Sequence, residues 1–194
     1  MMECKSIWGG KALPPRKSGH SHRYQKPVSS NMGLGGWAIT QQCFDWILDN
    51  VPSGSKVLEF GSGMGTGELV KHFEMTSIEQ ELFWMNGFSG SRYIHAPIVD
   101  DWYSWEALEN GDLENDYVLI IVDGPSKRMR KGMQDFYLAH PEIFENSLVL
   151  FDDTNREKDM EVCEWFISQG FERVAEMSDG EKQFTVVRKE NLIN

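Results

Sequence analysis

The chain has 194 residues, 40% of them hydrophobic and 12% aromatic, which is enough for one well-buried domain and short for two. Its formal net charge of −11 argues against a general binder of nucleic acid or anionic membranes, since such a binder needs a basic face to neutralise phosphates. Cys4, Cys43 and Cys163 form no C-x-x-C pair, which argues against a cysteine-rich zinc site and for reduced thiols in a cytoplasmic protein.

Residues 1–34 read as an extended basic arm. Lys5, Lys11, Arg16, Lys17, Arg23 and Lys26 oppose only Glu3, and Pro14-Pro15, Ser29-Ser30 and Gly33-x-Gly35-Gly36 punctuate the segment without an apolar period. A folded domain is expected over 35–194, opening with a helix over 36–50. Trp37, Ile39, Phe44, Ile47 and Leu48 form its apolar stripe and Pro52 follows its end. Strands are predicted at 56–60, 75–79, 92–96, 117–122 and 147–151, each followed by a helix or a long connection. Such alternation implies a parallel sheet covered on both faces. The runs 117–122 and 147–151 are continuously apolar, as strands at the centre of such a sheet should be. A helix over 157–169 stops at Gly170, and the segments 171–177 and 183–188 flank the turn Ser178-Asp179-Gly180-Glu181, which predicts a hairpin. The longest apolar run, Val118–Val122, is too short for a membrane span, and the basic N-terminus lacks the apolar stretch of a secretory signal.

The segment Lys56–Gly67 joins the first strand to a glycine loop and then to a helix start. A dinucleotide fingerprint, G-x-G-x-x-G, would need a third glycine where Thr66 stands, and counting from Gly63 does no better. What stands there is Glu59-x-Gly61-x-Gly63-x-Gly65. This pattern resembles the first motif of the class I S-adenosylmethionine (SAM)-dependent methyltransferases. The resemblance implies that Gly61, Ser62, Gly63, Gly65 and Thr66 cradle the methionine part of SAM while Glu59 helps to hold its amino group. Glu79 ends the second strand, twenty positions after Glu59, where a carboxylate can accept hydrogen bonds from both ribose hydroxyls of a nucleoside; Gln80 follows it. His95 ends the third strand where many methyltransferases place the acid that reads adenine, so Ala96, Trp102 and Tyr103 are the alternatives for lining that pocket. The same resemblance implies a Rossmann-like α/β fold: a seven-stranded, mostly parallel sheet with helices on both faces and an antiparallel C-terminal hairpin.

In an open α/β sheet, ligands bind beyond the carboxyl ends of the strands near the point where strand order reverses. That rule selects Glu59 to Gly65, Glu79, His95 to Pro97, Asp123 to Pro125 and Asp152 to Thr154. Asp123 is the leading catalytic candidate because it ends a central strand beside the expected methyl group. Methylation of oxygen requires a hydroxyl held in line with the sulfonium methyl and relieved of its proton. A carboxylate can take that proton, or it can hold a divalent ion that acidifies the hydroxyl. Asp123, Asp152 and Asp153 together suit Mg²⁺ or Mn²⁺. The arrangement resembles the catechol-type O-methyltransferases, with Asp152-Asp153 standing where that family has Asp-Asn. The alternative is that Asp152 or Asp153 caps the next helix or pairs with Arg156. The basic run Ser126–Gly132 reads either as a solvated surface or as a cluster that attracts an anionic acceptor, with Lys127 and Asp152 assisting Asp123 in catalysis. Val122–Pro125, Phe151–Arg156 and Gln183–Val186 also resemble the plant glucuronoxylan O-methyltransferases, which implies an acidic sugar as acceptor.

The sequence thus points to SAM-dependent O-methylation of a small or carbohydrate-like molecule, with no membrane partner and with homo-oligomers allowed. Two rivals stand beside it: a nicotinamide-dependent oxidoreductase on a similar sheet, and a non-catalytic protein that keeps the SAM-binding fold.

Overall fold

The computed structural model describes residues 39–85, 87–125 and 130–190. The basic arm expected over 1–34, the start of the first helix at 36–38, and Lys127 lie outside the described residues. Helix α1 (Gln41–Asn50) begins after Thr40, whose extended backbone and side chain end the preceding segment: the Cys43 amide donates to Thr40 Oγ1 at 3.1 Å. Ile39 and Thr40 precede the helix, so it starts later than the apolar stripe alone suggested.

Short apolar strands then alternate with helices. They are β1 (Lys56–Phe60), α2 (Met64–Leu69), β2 (Glu74–Glu79), α3 (Leu82–Met85), β3 (Ser91–His95), a small hairpin of β4 (Ile98–Val99) and β5 (Trp102–Tyr103), α4 (Trp105–Glu109), β6 (Leu119–Val122), α5 (Gly132–Ala139), β7 (Leu148–Phe151), α6 (Glu157–Ser168), β8 (Phe171–Ser178) and β9 (Gln183–Lys189). The five strands expected from sequence are present, 56–60 with its expected ends and the others with ends shifted by at most two residues, and the C-terminal hairpin is β8–β9. The β4–β5 hairpin was not anticipated. Its turn residues Asp100 and Asp101 have φ of 51° and 67°, the left-handed pair that a two-residue hairpin requires and that glycine or asparagine usually signals.

The main sheet runs β3-β2-β1-β6-β7-β9-β8. Pairs β1–β2, β2–β3, β1–β6 and β6–β7 are parallel, whereas β7–β9 and β8–β9 are antiparallel. A dinucleotide-binding sheet extends instead through a sixth parallel strand in the order 3-2-1-4-5-6, so the topology departs from the oxidoreductase rival. Alternate residues of each strand face opposite sides. Leu58, Phe60, Ile120 and Val122 pack with Phe136, Phe144 and Phe166, while Val57, Leu119, Ile121 and Leu150 pack with Ile39, Cys43 and Ile47. Strands β6 and β7 are buried on both faces, which is why their sequences are unbroken apolar runs. Among the described residues, no helix is long and apolar enough to cross a membrane.

Candidate active site

From β1 the chain winds outward to β2 and β3, and later returns to lay β6 and β7 on the other side of β1. The reversal puts a crevice at the carboxyl ends of β1 and β6. Gly61 leaves β1 with φ of 90°, and a Cβ there would lie 2.7 Å from the Gly124 nitrogen and 2.8 Å from its Cα. Only glycine fits that approach of two backbones. The loops after β1 and β6 are held together by the Gly124 and Asp123 amides, which donate to the Phe60 carbonyl at 2.6 and 3.0 Å.

The other two motif glycines differ. A Cβ on Gly65 would crowd Ile39 Cγ1 at 3.1 Å, so this glycine lets α2 pack against the segment before α1. Gly63 has φ of −162°, a conformation open to any residue. Beneath the loop, Thr66 is fully buried. Its hydroxyl accepts from the Gly63 amide at 3.0 Å and donates to the Glu59 carboxylate at 2.8 Å. Ser77 donates to the same carboxylate at 2.7 Å. Glu59 therefore braces the loop from below. Burial pushes its carboxyl up to about 8 against the opposing hydrogen bonds from Ser77 and Thr66.

Glu79 ends β2 and is also buried, with its two oxygens shared out: Oε2 accepts from the Ser62 amide at 2.8 Å and Oε1 from the Glu81 amide at 2.7 Å. Burial raises its carboxyl above the ordinary range. Ser62 Oγ lies 3.0 Å from the Tyr93 hydroxyl. Gln80 keeps its side-chain oxygen buried without a hydrogen-bond partner, and its carbonyl lies 3.2 Å from Nε2 of the exposed His95. The buried Ala96 continues the ladder, its amide donating to the Glu79 carbonyl at 2.9 Å. Tyr103, one of the alternatives for lining the adenine pocket, lies against the Gly61–Gly124 contact.

Asp123, Asp152 and Asp153 converge, each offering an oxygen within 4.8 Å of the others. Asp152 and Asp153 are buried, whereas the Asp123 side chain is 23% exposed and opens the cluster to solvent. Asp153 has φ of 60°, a left-handed conformation uncommon outside glycine. Two of the three cations around the cluster, Arg130 and Lys182, were not legible in the sequence as its partners. Arg130, from the basic run read as a surface or substrate-facing cluster, is turned inward and buried. Its guanidinium donates to the carbonyls of Asp152 at 2.6 Å and Asp123 at 2.5 Å, and it lies 3.3 Å from carboxylate oxygens of both Asp123 and Asp153 and 3.5 Å from Asp159. Lys182, from the hairpin turn, sits 3.6 Å from Asp152 and from Asp153, and Arg156 meets Asp153 at 2.7 Å. The pairing with Arg156 was one of the expected alternatives; a helix cap is not seen, since α6 has Arg156 at its N-cap and no side-chain cap.

Both Asp152 oxygens and Asp153 Oδ1 are buried without a hydrogen-bond donor. Burial, reinforced by the neighbouring Asp123 and Asp153 charges, pushes Asp152 up to about 7. Asp123 is also raised by burial, against the pull of Arg130. The cluster is short of donors, and Asp123 and Asp152 hold on to their protons, as groups in an acid–base or cation-binding site do.

No protein-family model matches the sequence, and no curated protein sequence matches it. Solved structures do match in shape. The methyltransferase domain of METTL16 superposes with a TM-score of 0.54 at 10% identity, covering 77% of this chain and 67% of that one. A putative tRNA methyltransferase from Streptococcus pneumoniae in complex with S-adenosyl-L-methionine gives 0.50 at 16% identity, covering 79% and 76%. Human methyltransferase-like protein 13 in complex with S-adenosylhomocysteine (SAH) gives 0.50 at 14%, covering 73% and 74%. At these identities the likeness concerns architecture, and together with the strand order and the terminal hairpin it gives this chain the seven-stranded fold of the class I SAM-dependent methyltransferases.

Proposed function

We propose that the protein is a SAM-dependent methyltransferase that methylates an oxygen of a small or carbohydrate-like acceptor. The observation that carries this reading is the placement of a half-open carboxylate cluster with unpaired oxygens directly beside the Gly61–Gly124 junction.

The loop from Gly61 to Gly63 and the carboxylate of Glu79 would hold the cofactor, with Glu59, Gly65 and Thr66 supporting that loop from beneath. Glu79 spends one lone pair of each oxygen on a backbone amide, and an ionised carboxylate has about four acceptor sites, so ribose hydroxyls still find partners there. Bound SAM supplies an electrophilic methyl group. Asp123 faces the opening, and its raised affinity for protons suits it to take the proton of an acceptor hydroxyl as the methyl is transferred. Arg130 fixes the Asp123 backbone and side chain together, so the base is held in place before the acceptor arrives.

Asp123, Asp152 and Asp153 also fit a divalent cation with a preference for oxygen, because three of their buried oxygens have no donor and the three side chains come within 4.8 Å. Such an ion would acidify the acceptor hydroxyl. Lys182 stands beside the same oxygens and is the cation that a metal would have to displace or share.

Calorimetry with SAM and SAH, using NADH as the control, tests the cofactor assignment; a chain that binds neither methyl-donor compound overturns it. Transfer of labelled methyl to a panel of catechols, uronic-acid oligosaccharides and tRNA tests the acceptor class, tRNA being included because a putative tRNA methyltransferase shares the fold. Label appearing on a base nitrogen, with none on hydroxylated small molecules, defeats the O-methylation reading.

A further inference from the structure

Three carboxylate oxygens of the aspartate cluster are buried without a hydrogen-bond donor: both oxygens of Asp152, a residue only 1% exposed, and Oδ1 of Asp153. The cations nearby do not share them equally. Arg130 and Arg156 both turn to Oδ2 of Asp153, at 3.3 and 2.7 Å, and Arg130 is further tied to the carbonyls of Val122, Asp123 and Asp152. Lys182 instead faces two of the donor-less oxygens, Asp152 Oδ2 and Asp153 Oδ1, with Nζ 3.6 Å from each. That separation is too long for a hydrogen bond, yet short enough for the charge to act. Lys182 opposes the burial-driven rise of both Asp152 and Asp123. The ammonium thus supplies charge to these oxygens and leaves their lone pairs open.

The backbone that carries Lys182 is fixed in place. Within the β8–β9 turn, the Lys182 amide donates to Asp179 Oδ1 at 2.9 Å and its carbonyl accepts from the Ser178 hydroxyl at 3.1 Å. This turn is fastened to the loop after β7, which holds two of the acids. The Thr154 amide donates to the Gln183 carbonyl at 2.8 Å, Asn155 Nδ2 donates to the Glu181 carbonyl at 2.9 Å, and the hydroxyls of Thr154 and Thr185 lie 2.9 Å apart. Thr154 and Asn155 directly follow Asp152 and Asp153, so the acids and the ammonium are latched to each other through their own chain neighbours.

Resting on the reading of this cluster as a place for a divalent ion at the transfer centre, we propose that Lys182 is its resident cation and the residue that limits its affinity for such ions. An ion bonded to either oxygen at about 2.1 Å lies within about 6 Å of the ammonium. Even under the full screening of water, a double and a single positive charge at about 6 Å repel enough to weaken binding about tenfold. The buried setting of Asp152 screens less and enlarges the effect.

Titration with Mn²⁺ at pH 8 and low salt, followed by electron paramagnetic resonance of the free ion, reads this in full-length wild type, Lys182→Gln and Lys182→Arg. Lys182→Gln is expected to bind Mn²⁺ about ten- to hundredfold more tightly than wild type. Lys182→Arg keeps the charge and should stay near the wild-type affinity. Adding Asp152→Asn to Lys182→Gln should abolish the gain, which locates the ion at this cluster. A Lys182→Gln affinity equal to that of wild type overturns the proposal, as does a gain that survives Asp152→Asn. If Lys182→Gln does not fold by itself, Mn²⁺ should restore its circular dichroism, because an ion that binds the folded state supplies the missing charge. A variant that stays unfolded in millimolar Mn²⁺ overturns the proposal too. SAH binding in the same samples decides the methyltransferase reading separately: wild type that binds no SAH fails that reading, while the order of Mn²⁺ affinities still upholds or overturns the role of Lys182.

Discussion

The crevice has two halves built from buried acids, and they are finished differently. On the β1–β2 side, Glu59 and Glu79 have donors on both oxygens, supplied by Thr66, Ser77 and two backbone amides. On the β6–β7 side, Asp152 has none, although Arg130 and Lys182 stand close by. The difference teaches that nearby cations do not by themselves satisfy a carboxylate. Arg130 directs its short hydrogen bonds to the carbonyls of Asp152 and Asp123, and Lys182 stays 3.6 Å from the oxygens it balances. The first half is a prebuilt cradle; the second is compensated in charge and left open in coordination.

The largest effect should come from the residue that keeps the open half from collapsing under its own charge. Arg130→Met leaves Asp123, Asp153 and Asp159 without their common partner in a buried place. Removing one member of a buried ion group ordinarily costs about 3–5 kcal/mol, and a loss of that size is expected in urea denaturation near pH 8. A loss below about 1 kcal/mol would mean that Lys182 and Arg156 suffice, and the contrast between the halves would dissolve.

Next in size is the glycine junction. Gly61→Ala forces a Cβ into the Gly124 backbone at a positive φ and should destabilise by about 2–4 kcal/mol, whereas Gly63→Ala, at an extended φ, should stay within about 1 kcal/mol of wild type. Thermal melts of the two variants check this directly. Equal losses would show that the cradle does not pivot on Gly61.

These two contrasts also mark what the sequence could and could not reveal. The strand–helix alternation, the central strands and the hairpin were legible because burial on both faces forces unbroken apolar runs, and a turn needs its Asp-Gly. The acids Glu59, Glu79, Asp123 and Asp152 were legible because strand ends at a sheet reversal are defined by topology. Arg130 was not: four basic residues within 127–131 have no period, and only the pairing of β6 with β7 creates the buried space that one of them fills. Nor was Thr66 legible as the tie between loop and Glu59, since its role depends on a hydrogen bond seven residues back in the chain. The β4–β5 hairpin escaped because its turn uses two aspartates where glycine would have announced it.

The smallest effects probe the open half through protons and cations. Asp152 is held at about 7 in the folded protein against an ordinary 3.8, because burial and the charges of Asp123 and Asp153 disfavour its ionised form. A raised carboxylate gives its full contribution to stability below the unfolded value and loses it as pH rises through the folded one, so the ligand-free protein should weaken between about pH 4 and pH 7. Glu59, at about 8, extends the decline in the same direction. Asp152→Asn removes the charge that burial, first, and the Asp123 and Asp153 charges, second, disfavour. It should therefore gain about 1–2 kcal/mol relative to wild type at pH 8 and little at pH 5, equivalent to a few degrees in melting temperature. Mg²⁺ or Mn²⁺ is the other way to relieve the same crowding. At a concentration ten times its dissociation constant, an ion that binds the folded state alone adds about 1.4 kcal/mol, and the gain should shrink in Asp152→Asn and at pH 5, where the carboxylates carry protons. Melts at pH 8 that ignore both ions, in a wild-type protein that still turns over in excess chelator, would leave Asp123 as an unassisted base and Lys182 as the permanent counter-ion of the pair behind it.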